Sequence, residues 1–248
     1  MGILNVTPDS FADGGRYNSF NKAIHHAREM ISEGVDIIDI GGESTRPGAD
    51  RVSEAEELDR VIPVITELAK DGVRISIDTM RASTARAAVV AGAKIINDVS
   101  GGLADPEMLT TAAELKTPYI AMHWRGQSKD MNSMAIYRDV VRDVISELQE
   151  RISAALDAGI NRDNLIVDPG IGFAKDAHHN WEIIDHIEEF VALGYPVLIG
   201  ASRKRFLGGD TPDVREAASV ALTKRLSTTG IWGVRVHSVK PHRDVLAT

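Results

Sequence analysis

Short apolar segments alternate with longer segments in which apolar residues recur at helical spacing, and this order repeats along the chain. Uninterrupted apolar runs predict buried strands, and a period near 3.6 residues predicts amphipathic helices. The predicted strands cover residues 2–6, 35–40, 73–77, 94–96, 119–122, 165–167, 197–199 and 233–236. The predicted helices cover about 19–33, 53–70, 82–91, 106–115, 137–158, 179–191 and 214–228.

This repeat of eight strand–helix units predicts an α/β protein whose parallel strands close into a single-domain (β/α)8 TIM barrel. Residues 1–248 are predicted to form one domain, with a shortened eighth helix because the sequence stops at Thr248. An open, doubly wound sheet is the alternative, and it fits less well because polar clusters follow nearly every strand. The glycine pairs at 41–42 and 101–102 match neither a Walker A loop nor a dinucleotide fingerprint.

Local signals mark the ends of several helices. Ser53 is a predicted N-cap, and Glu56 three residues later predicts a reciprocal capping box. Gly34 predicts the end of the first helix. The polar, methionine-containing stretch that ends at Ser133 predicts a mobile loop before the longest helix.

Composition narrows the class of protein. Apolar residues make up 43% of the chain and charged residues 26%, which are ordinary values for a globular domain with a sizeable core. There is no cysteine, so disulfides, thiolate chemistry and cysteine-based zinc sites are excluded. The net charge of −8 argues against a nucleic-acid partner. Without a long apolar run or a signal peptide, we expect a cytoplasmic protein that does not engage a membrane.

A cationic block directly follows the predicted strand at 197–199. Ser202, Arg203, Lys204 and Arg205 come in succession in a chain that is acidic overall. Such a block at the end of a buried strand suits an anionic ligand, with Lys204 as a point charge and Ser202 as a small hydroxyl donor. A solvated, basic start to the next helix is the alternative explanation for this block alone.

Other strand ends carry polar residues of the same character. In a barrel of this kind the carboxyl ends of all strands open onto one face, where active sites lie. Each residue alone also has an ordinary structural explanation, such as a helix cap or a turn. The residues predicted to converge on this face are Asn5, Asp39, Thr45, Arg46, Asp78, Asn97, Asp168, Lys204, Arg235 and His237.

These residues sort into two chemical groups. The first offers acceptors, an amide and an ammonium, which suit a flat heterocycle with alternating donors and acceptors; it contains Asp78, Asn97, Asp168 and Lys204. Apolar walls for the same slot are predicted from Val99, Met122 and Phe173. The second group suits a phosphate or pyrophosphate, with or without a divalent cation, and lies on the neighbouring first and last strands; it contains Asn5, Arg235 and His237.

Several motifs resemble those of the dihydropteroate synthase family, and together they span nearly the whole chain. They are Asn-Val-Thr-Pro-Asp-Ser-Phe at 5–11, Gly-Gly-Glu-Ser-Thr-Arg-Pro-Gly at 41–48, Ile-Asp-Thr at 77–79, Ile-Asn-Asp-Val-Ser-Gly at 96–101, Asp-Pro-Gly-Ile-Gly-Phe-Ala-Lys at 168–175, Ser-Arg-Lys at 202–204 and Arg-Val-His at 235–237. Segments 123–125 and 232–237 resemble actinobacterial members in particular. Ser238 stands where family members usually have aspartate.

The resemblance implies condensation of 6-hydroxymethyl-7,8-dihydropterin pyrophosphate with 4-aminobenzoate, giving 7,8-dihydropteroate and pyrophosphate in folate biosynthesis. It implies catalytic roles for Asp78, Asp168, Lys204 and Arg235. It implies pterin contacts from Asp78, Asn97, Val99, Met122, Asp168, Phe173, Lys204 and Arg235. Pyrophosphate would be held by Asn5, Arg235 and His237, with Mg²⁺ on Asn5. Aminobenzoate, and sulfonamide drugs in its place, would meet Thr45, Arg46, Pro47, Phe173, Ser202 and Lys204. A homodimer is implied as well.

The implied mechanism is SN1-like: pyrophosphate departs first and leaves a pterin methylene cation, which the amine then attacks. Cationic groups would stabilise the leaving charge, and carboxylates at the ring would stabilise the cation. Two alternatives stay open. One is a pterin-dependent methyltransferase on a similar barrel, and the other is a non-catalytic paralogue that binds pterin without turnover.

Overall fold

A computed structural model describes residues 1–7, 15–44, 51–127 and 131–247, without the side chains of 15–18 and 131–132. The strands are β1 (Gly2–Asn5), β2 (Ile37–Gly41), β3 (Arg74–Asp78), β4 (Ile95–Asp98), β5 (Tyr119–Met122), β6 (Leu165–Asp168), β7 (Leu198–Ile199) and β8 (Gly233–Val234). The helices are α1 (Gly15–Ser32), α2 (Glu54–Leu68), α3 (Ala82–Ala91), α4 (Met108–Leu115), α5 (Val140–Asp157), α6 (Ala177–Asp185), α7 (Ile187–Val191), α8 (Pro212–Leu226) and α9 (Lys240–Leu246). Short 3-10 helices lie at Ala69–Asp71, Met131–Met134, Arg162–Asn164 and Arg205–Leu207.

The strands form a closed parallel barrel. Strands β1 to β6 pair in sequence order, and β7 pairs with β8. The first seam is a parallel bridge between Val167 of β6 and Val197 beside β7, and the second joins Gly2 of β1 to Val236 after β8. At the second seam the Ile3 amide donates to the Val236 carbonyl at 2.9 Å. The predicted TIM barrel is therefore confirmed, and the open doubly wound sheet was the wrong alternative.

Two apolar layers follow from the alternation of side chains along each strand. One layer fills the inside of the barrel and consists of Ile37, Ile95, Ile120, Ile166 and Leu198. The larger layer lies between the strands and the helices and includes Leu4, Ile38, Ile77 and Tyr119. Because the inward positions farther along the strands are polar, the barrel interior changes from an apolar bottom to a polar top.

Several predicted element ends agree with the structure. Helix α3 and strand β5 have the predicted bounds. Ser53 caps α2 by accepting from the Glu56 amide at 3.2 Å, but the reciprocal half of the predicted capping box is replaced by an ion pair between Glu56 and Arg60. Helix α8 begins at Pro212, earlier than predicted, because Thr211 caps it and proline suits a first helical position.

The helix predicted at 179–191 is two helices, and this prediction was wrong. The chain leaves helical geometry at His186, with φ −117° and ψ 29°, so α6 ends at Asp185 and α7 begins at Ile187. The imidazole Nδ1 of His186 lies 2.9 Å from the Glu182 carbonyl. The His186 amide is shared between the Glu182 carbonyl at 3.2 Å and the Ile183 carbonyl at 3.3 Å, so α6 closes with a tightened last turn and the chain bends there.

Helices in the described part of the chain lack the combination of length and apolar character that a membrane span requires.

Candidate active site

An arginine from the last strand region crosses the polar top of the barrel to two carboxylates. Arg235 donates from Nε to Asp39 Oδ2 and from Nη2 to Asp78 Oδ2, each at 2.6 Å. Asn97 Nδ2 also donates to Asp39 Oδ2, at 3.0 Å. Residues from β2, β3, β4 and the end of β8 are therefore joined in one hydrogen-bonded group inside the barrel.

Burial and mutual charge set the protonation of this group. Burial raises the pKa of Asp78 to about 7, and the Asp39 carboxylate adds to the rise while Arg235 opposes it. Burial works to lower the pKa of Arg235, but the Asp39 and Asp78 carboxylates outweigh it and the pKa is raised. Arg235 is consequently a fixed cation, and Asp78 titrates in a range where a ligand can change its charge.

A third carboxylate and a lysine lie where β6 and β7 end. Asp168 is buried, accepts from the Gly170 amide at 2.7 Å through Oδ1, and has a pKa raised by burial. Lys204 donates from Nζ to the Ile171 carbonyl, and the same atom lies 4.5 Å from the centre of the Phe173 ring. Burial lowers the pKa of Lys204 to about 8, although Asp168 opposes this shift. The ammonium is thus bound to a backbone carbonyl and lies over an aromatic ring.

Apolar side chains form a wall beside these polar groups. Val99 and Met122, two of the predicted wall residues, pack with Met80, and Phe173 packs against the same cluster. Met80 was not among the predicted residues, because it follows the Ile-Asp-Thr motif without any local pattern of its own. An apolar wall beside an array of donors and acceptors can hold a flat heterocycle by its faces and its edge.

A separate cavity of about 380 Å³ brings two predicted anion-binding residues together. Asn5 from the end of β1 and His237 after β8 both line it, along with Arg203 and Ser238. His237 Nδ1 lies 3.0 Å from the Ser202 hydroxyl, which therefore orients the imidazole. Arg235 does not line this cavity and lies instead with the carboxylates of the barrel interior. The three residues predicted to bind pyrophosphate thus lie in two places: Asn5 and His237 line the cavity, and Arg235 lies inside the barrel.

Ser238 changes the partners of a neighbouring arginine. Arg203 Nη2 donates to the Ser238 hydroxyl and Arg203 Nε to Glu216 Oε2, both at 2.6 Å. A serine provides no charge at this position, so the carboxylate that balances Arg203 comes from α8 through Glu216. The guanidinium remains fixed beside the cavity that Asn5 and His237 line.

Three of the predicted site residues cannot be placed, and one placed residue has a role that was not predicted. Thr45, Arg46 and Pro47, predicted for aminobenzoate, lie outside the described residues. Asp39 was predicted to converge on this face but received no specific role, although it anchors both Arg235 and Asn97. The signal was its position two residues beyond Ile37, an inward residue of the same strand, since alternate strand residues share a face.

Few side chains in the described part of the chain are placed to bind a metal ion. Within the described ranges, no cluster of three or more histidine, cysteine, aspartate or glutamate side chains could hold a metal ion. Magnesium commonly takes only one or two protein ligands and completes its shell with water and substrate phosphates. The Asn5 amide beside an anion cavity fits that mode of binding.

Comparisons with known proteins show which family this chain resembles. The sequence model of the family described as "Pterin binding enzyme" matches residues 1–237. A dihydropteroate synthase of Mycobacterium leprae is 47% identical over 99% of this chain and 90% of its own, consistent with the actinobacterial resemblance. A dihydropteroate synthase of Bacillus subtilis is 51% identical over 97% of this chain and 83% of its own, so the likeness extends beyond actinobacteria.

A solved structure gives the same result for the fold. The Xanthomonas albilineans dihydropteroate synthase with 4-aminobenzoic acid superposes with a TM-score of 0.94 and 44% sequence identity. The match covers 100% of this chain and 90% of the other. Sequence and fold therefore point to one family.

Proposed function

The chain belongs to the dihydropteroate synthase family of pterin-binding enzymes, and we propose how its residues carry out the condensation of dihydropterin pyrophosphate with 4-aminobenzoate. The product is 7,8-dihydropteroate, and pyrophosphate leaves. The observation that carries the assignment is the polar group of Arg235, Asp78 and Asn97 at the top of a closed barrel, beside an apolar wall. This arrangement suits a pterin ring bound by its edge and faces.

The pterin ring is proposed to lie between the apolar wall and the buried carboxylates. Val99, Met122 and Phe173 would contact its faces, while Asp168 and Asn97 would meet the donors and acceptors along its edge. Asp168 has one oxygen committed to the Gly170 amide, which leaves the other for the ring. The Lys204 ammonium would donate a hydrogen bond to the pterin ring or to the aminobenzoate.

The leaving group is proposed to occupy the cavity that Asn5 and His237 line, with Arg235 contributing from the barrel side. Magnesium would be held by Asn5 together with substrate oxygens. When bound, the metal would neutralise charge on the pyrophosphate. Fixed cations at this position stabilise negative charge as it develops, which favours departure before attack.

The carboxylates are proposed to stabilise the pterin cation that remains when pyrophosphate leaves. Departure of pyrophosphate leaves a positive charge that the pterin ring shares, and Asp78 and Asp168 lie in the buried group that would surround the ring. An ionised carboxylate in a poorly hydrated site favours such a cation strongly. The arylamine then needs only correct positioning, since it is already nucleophilic.

A pyrophosphate-release assay tests the proposal against both alternatives. We expect rapid release only when dihydropterin pyrophosphate and 4-aminobenzoate are both present, and a sulfonamide should compete with the aminobenzoate. A methyltransferase would instead demethylate methyltetrahydrofolate in the presence of a corrinoid. A non-catalytic paralogue would bind dihydropterin pyrophosphate in calorimetry but would release no pyrophosphate, with or without 4-aminobenzoate.

We propose a homodimer, because Trp181 of α6 is 37% exposed and packs edge-on against Phe206, and Val214 of α8 is 62% exposed. Sedimentation equilibrium should then give twice the 26.9 kDa mass of the chain, and a mass of one chain would contradict the dimer. The cytoplasmic location stays a prediction.

A further inference from the structure

A buried lysine outside the proposed substrate contacts lies beneath the loop that follows β6. Lys175 Nζ is 2.8 Å from His123 Nδ1, 3.2 Å from the Gly170 carbonyl and 3.1 Å from the Phe173 carbonyl. The lysine is only 8% exposed, and His123 is 1% exposed. Three contacts from one nitrogen thus join two points of the β6 loop to the end of β5.

The neighbouring groups determine which atom donates. His123 Nε2 lies 2.9 Å from Glu147 Oε2, a carboxylate whose pKa falls to about 2: burial raises that pKa, but the contacts with His123 and Arg125 outweigh it. Burial, together with Lys175, lowers the pKa of His123 to about 4, so the imidazole carries a single proton near neutral pH. That proton faces Glu147, and Nδ1 is therefore an acceptor for Lys175.

Lys175 consequently faces three acceptors and needs three protons to satisfy them, which is the capacity of an ammonium group. Burial lowers the pKa of Lys175 well below its usual value; Lys204 and Arg125 add to this shift, while the carboxylates of Asp168 and Glu147 oppose it. Lys175 and Glu147 of α5 contact opposite nitrogens of the same neutral imidazole, and Arg125 also contacts Glu147. Lys175, His123 and Glu147 thus form one continuous buried hydrogen-bonded chain.

The loop needs such an anchor because its backbone is unusual. Gly170 and Gly172 have φ of 70° and 77°, and Ala174 has φ of 48° although it carries a side chain. Left-handed geometry is unfavourable for a residue other than glycine, so it persists only where surrounding contacts enforce it. The Tyr137 hydroxyl supplies another contact, 3.0 Å from the Ala174 carbonyl.

We propose that Lys175 is a positioning residue: with His123 and Glu147 it holds the β6 loop in the conformation that places the Phe173 ring against the apolar wall and Lys204. This inference rests on the proposed function for its catalytic consequence, since Phe173 is proposed to contact both substrates. The holding of the loop itself depends only on the contacts described above.

The test uses two variants and two matched controls in the full-length enzyme. Lys175→Met removes the donors and keeps the length of the side chain, and Glu147→Gln removes the charge at the far end of the chain of contacts. Lys94→Met changes an exposed lysine before β4, at the other end of the barrel, and Glu150→Gln changes an exposed glutamate on the same helix as Glu147. Hydrogen exchange of the ligand-free proteins and steady-state kinetics are measured for all four.

In Lys175→Met we expect the amides of 170–174 to exchange at least about tenfold faster, while the rest of the barrel keeps its protection. The KM for aminobenzoate should rise about tenfold and kcat should change less than about threefold, because binding is lost without a change in the chemical step. Glu147→Gln should show the same pattern to a smaller degree, and both controls should match the parent enzyme.

Unchanged exchange in the loop would overturn the inference, and so would faster exchange with an unchanged KM. Faster exchange throughout the chain would show a general role in folding and would also contradict it. The exchange measurement needs no substrate. If the parent enzyme released no pyrophosphate, the proposed function would fail while the exchange data still decided whether Lys175 holds the loop.

Discussion

The proposed role of Asp168 can be tested by replacing one carboxylate oxygen with an amide nitrogen. In Asp168→Asn the amide oxygen can still accept from the Gly170 amide, so the local backbone bond is kept. The other position becomes a donor that faces the donors of the pterin edge. We expect kcat/KM to fall by about 2–4 kcal/mol in free-energy terms, or about 30- to 1,000-fold, with little change in the melting temperature.

Activity of Asp168→Asn within about threefold of the parent enzyme would contradict a contact between Asp168 and the pterin. A matched control is Asp98→Asn. Asp98 is equally buried, but its partners are Ser100, the Gly102 amide and the Tyr119 hydroxyl, so we expect that variant to lose thermal stability in the main.

Lys204 predicts how activity depends on pH. Its pKa is lowered by burial to about 8, so the free enzyme loses this positive charge as the pH rises through that value. Since the proposed role needs the ammonium, kcat/KM should decrease on the alkaline side of about pH 8, and kcat/KM reports the free enzyme. Lys204→Arg remains charged in this range, so its profile should lack the decrease even if its rate is lower. An identical alkaline decrease in both enzymes would assign it to another group.

At the scale of the elements, the loop after β6 gives a prediction with a built-in control. Gly172 and Gly72 both have left-handed φ, 77° and 76°, so alanine should cost each about 1–2 kcal/mol of stability. A Cβ at Gly172 would lie 2.8 Å from Lys204 Cδ, whereas at Gly72 no described atom lies within 4 Å. Because a lysine side chain can move, Gly172→Ala should displace Lys204 rather than unfold the barrel.

We therefore expect similar melting temperatures for Gly172→Ala and Gly72→Ala, and a loss of at least about tenfold in kcat/KM only for Gly172→Ala. Thermal unfolding and steady-state kinetics of the two variants decide the matter. Equal activity would mean that the position of the Lys204 stem is not critical.

The elements also show where prediction from sequence succeeds and where it ends. The apolar runs of β5 and the alanine-rich pattern of α3 determine their own bounds locally, and both were predicted correctly. The break at His186 is a change of backbone dihedral angles at one residue within a continuous apolar pattern, and periodicity does not report it. Likewise, Lys175 stands last in a motif, and its buried partner His123 lies 52 residues earlier in the chain.

At the scale of the whole molecule, closure of the barrel is what makes distant strand ends neighbours. Arg235 and Asp39 are 196 residues apart in sequence and 2.6 Å apart in the structure. The strand count and the parallel order were enough to predict that such residues converge on one face. Which of them pair could not be predicted, because the pairing depends on side-chain length and on inward alternation around a closed ring.

Closure also predicts an order of binding. Asn5 at the end of β1 lies beside β2, and the segment that follows β2 carries Thr45, Arg46 and Pro47, which lie outside the described residues. The ends of that segment are anchored: Arg60 donates to the Gly42 carbonyl at 2.7 Å, and Glu43 pairs with Arg51 at 3.0 Å and Arg81 at 2.8 Å. An anion in the cavity that Asn5 and His237 line would attract Arg46 and bring the aminobenzoate contacts together.

We therefore expect aminobenzoate to bind at least about tenfold more tightly when Mg²⁺–pyrophosphate and a pterin analogue are present than when they are absent. Calorimetric titration under the two conditions measures this difference. Arg46→Gln should weaken the enhancement while leaving pyrophosphate binding largely intact, since Asn5 and His237 remain. Equal aminobenzoate affinity in both titrations of the parent enzyme would show that the second pocket is complete before the anion binds, and the ordered mechanism would then be wrong.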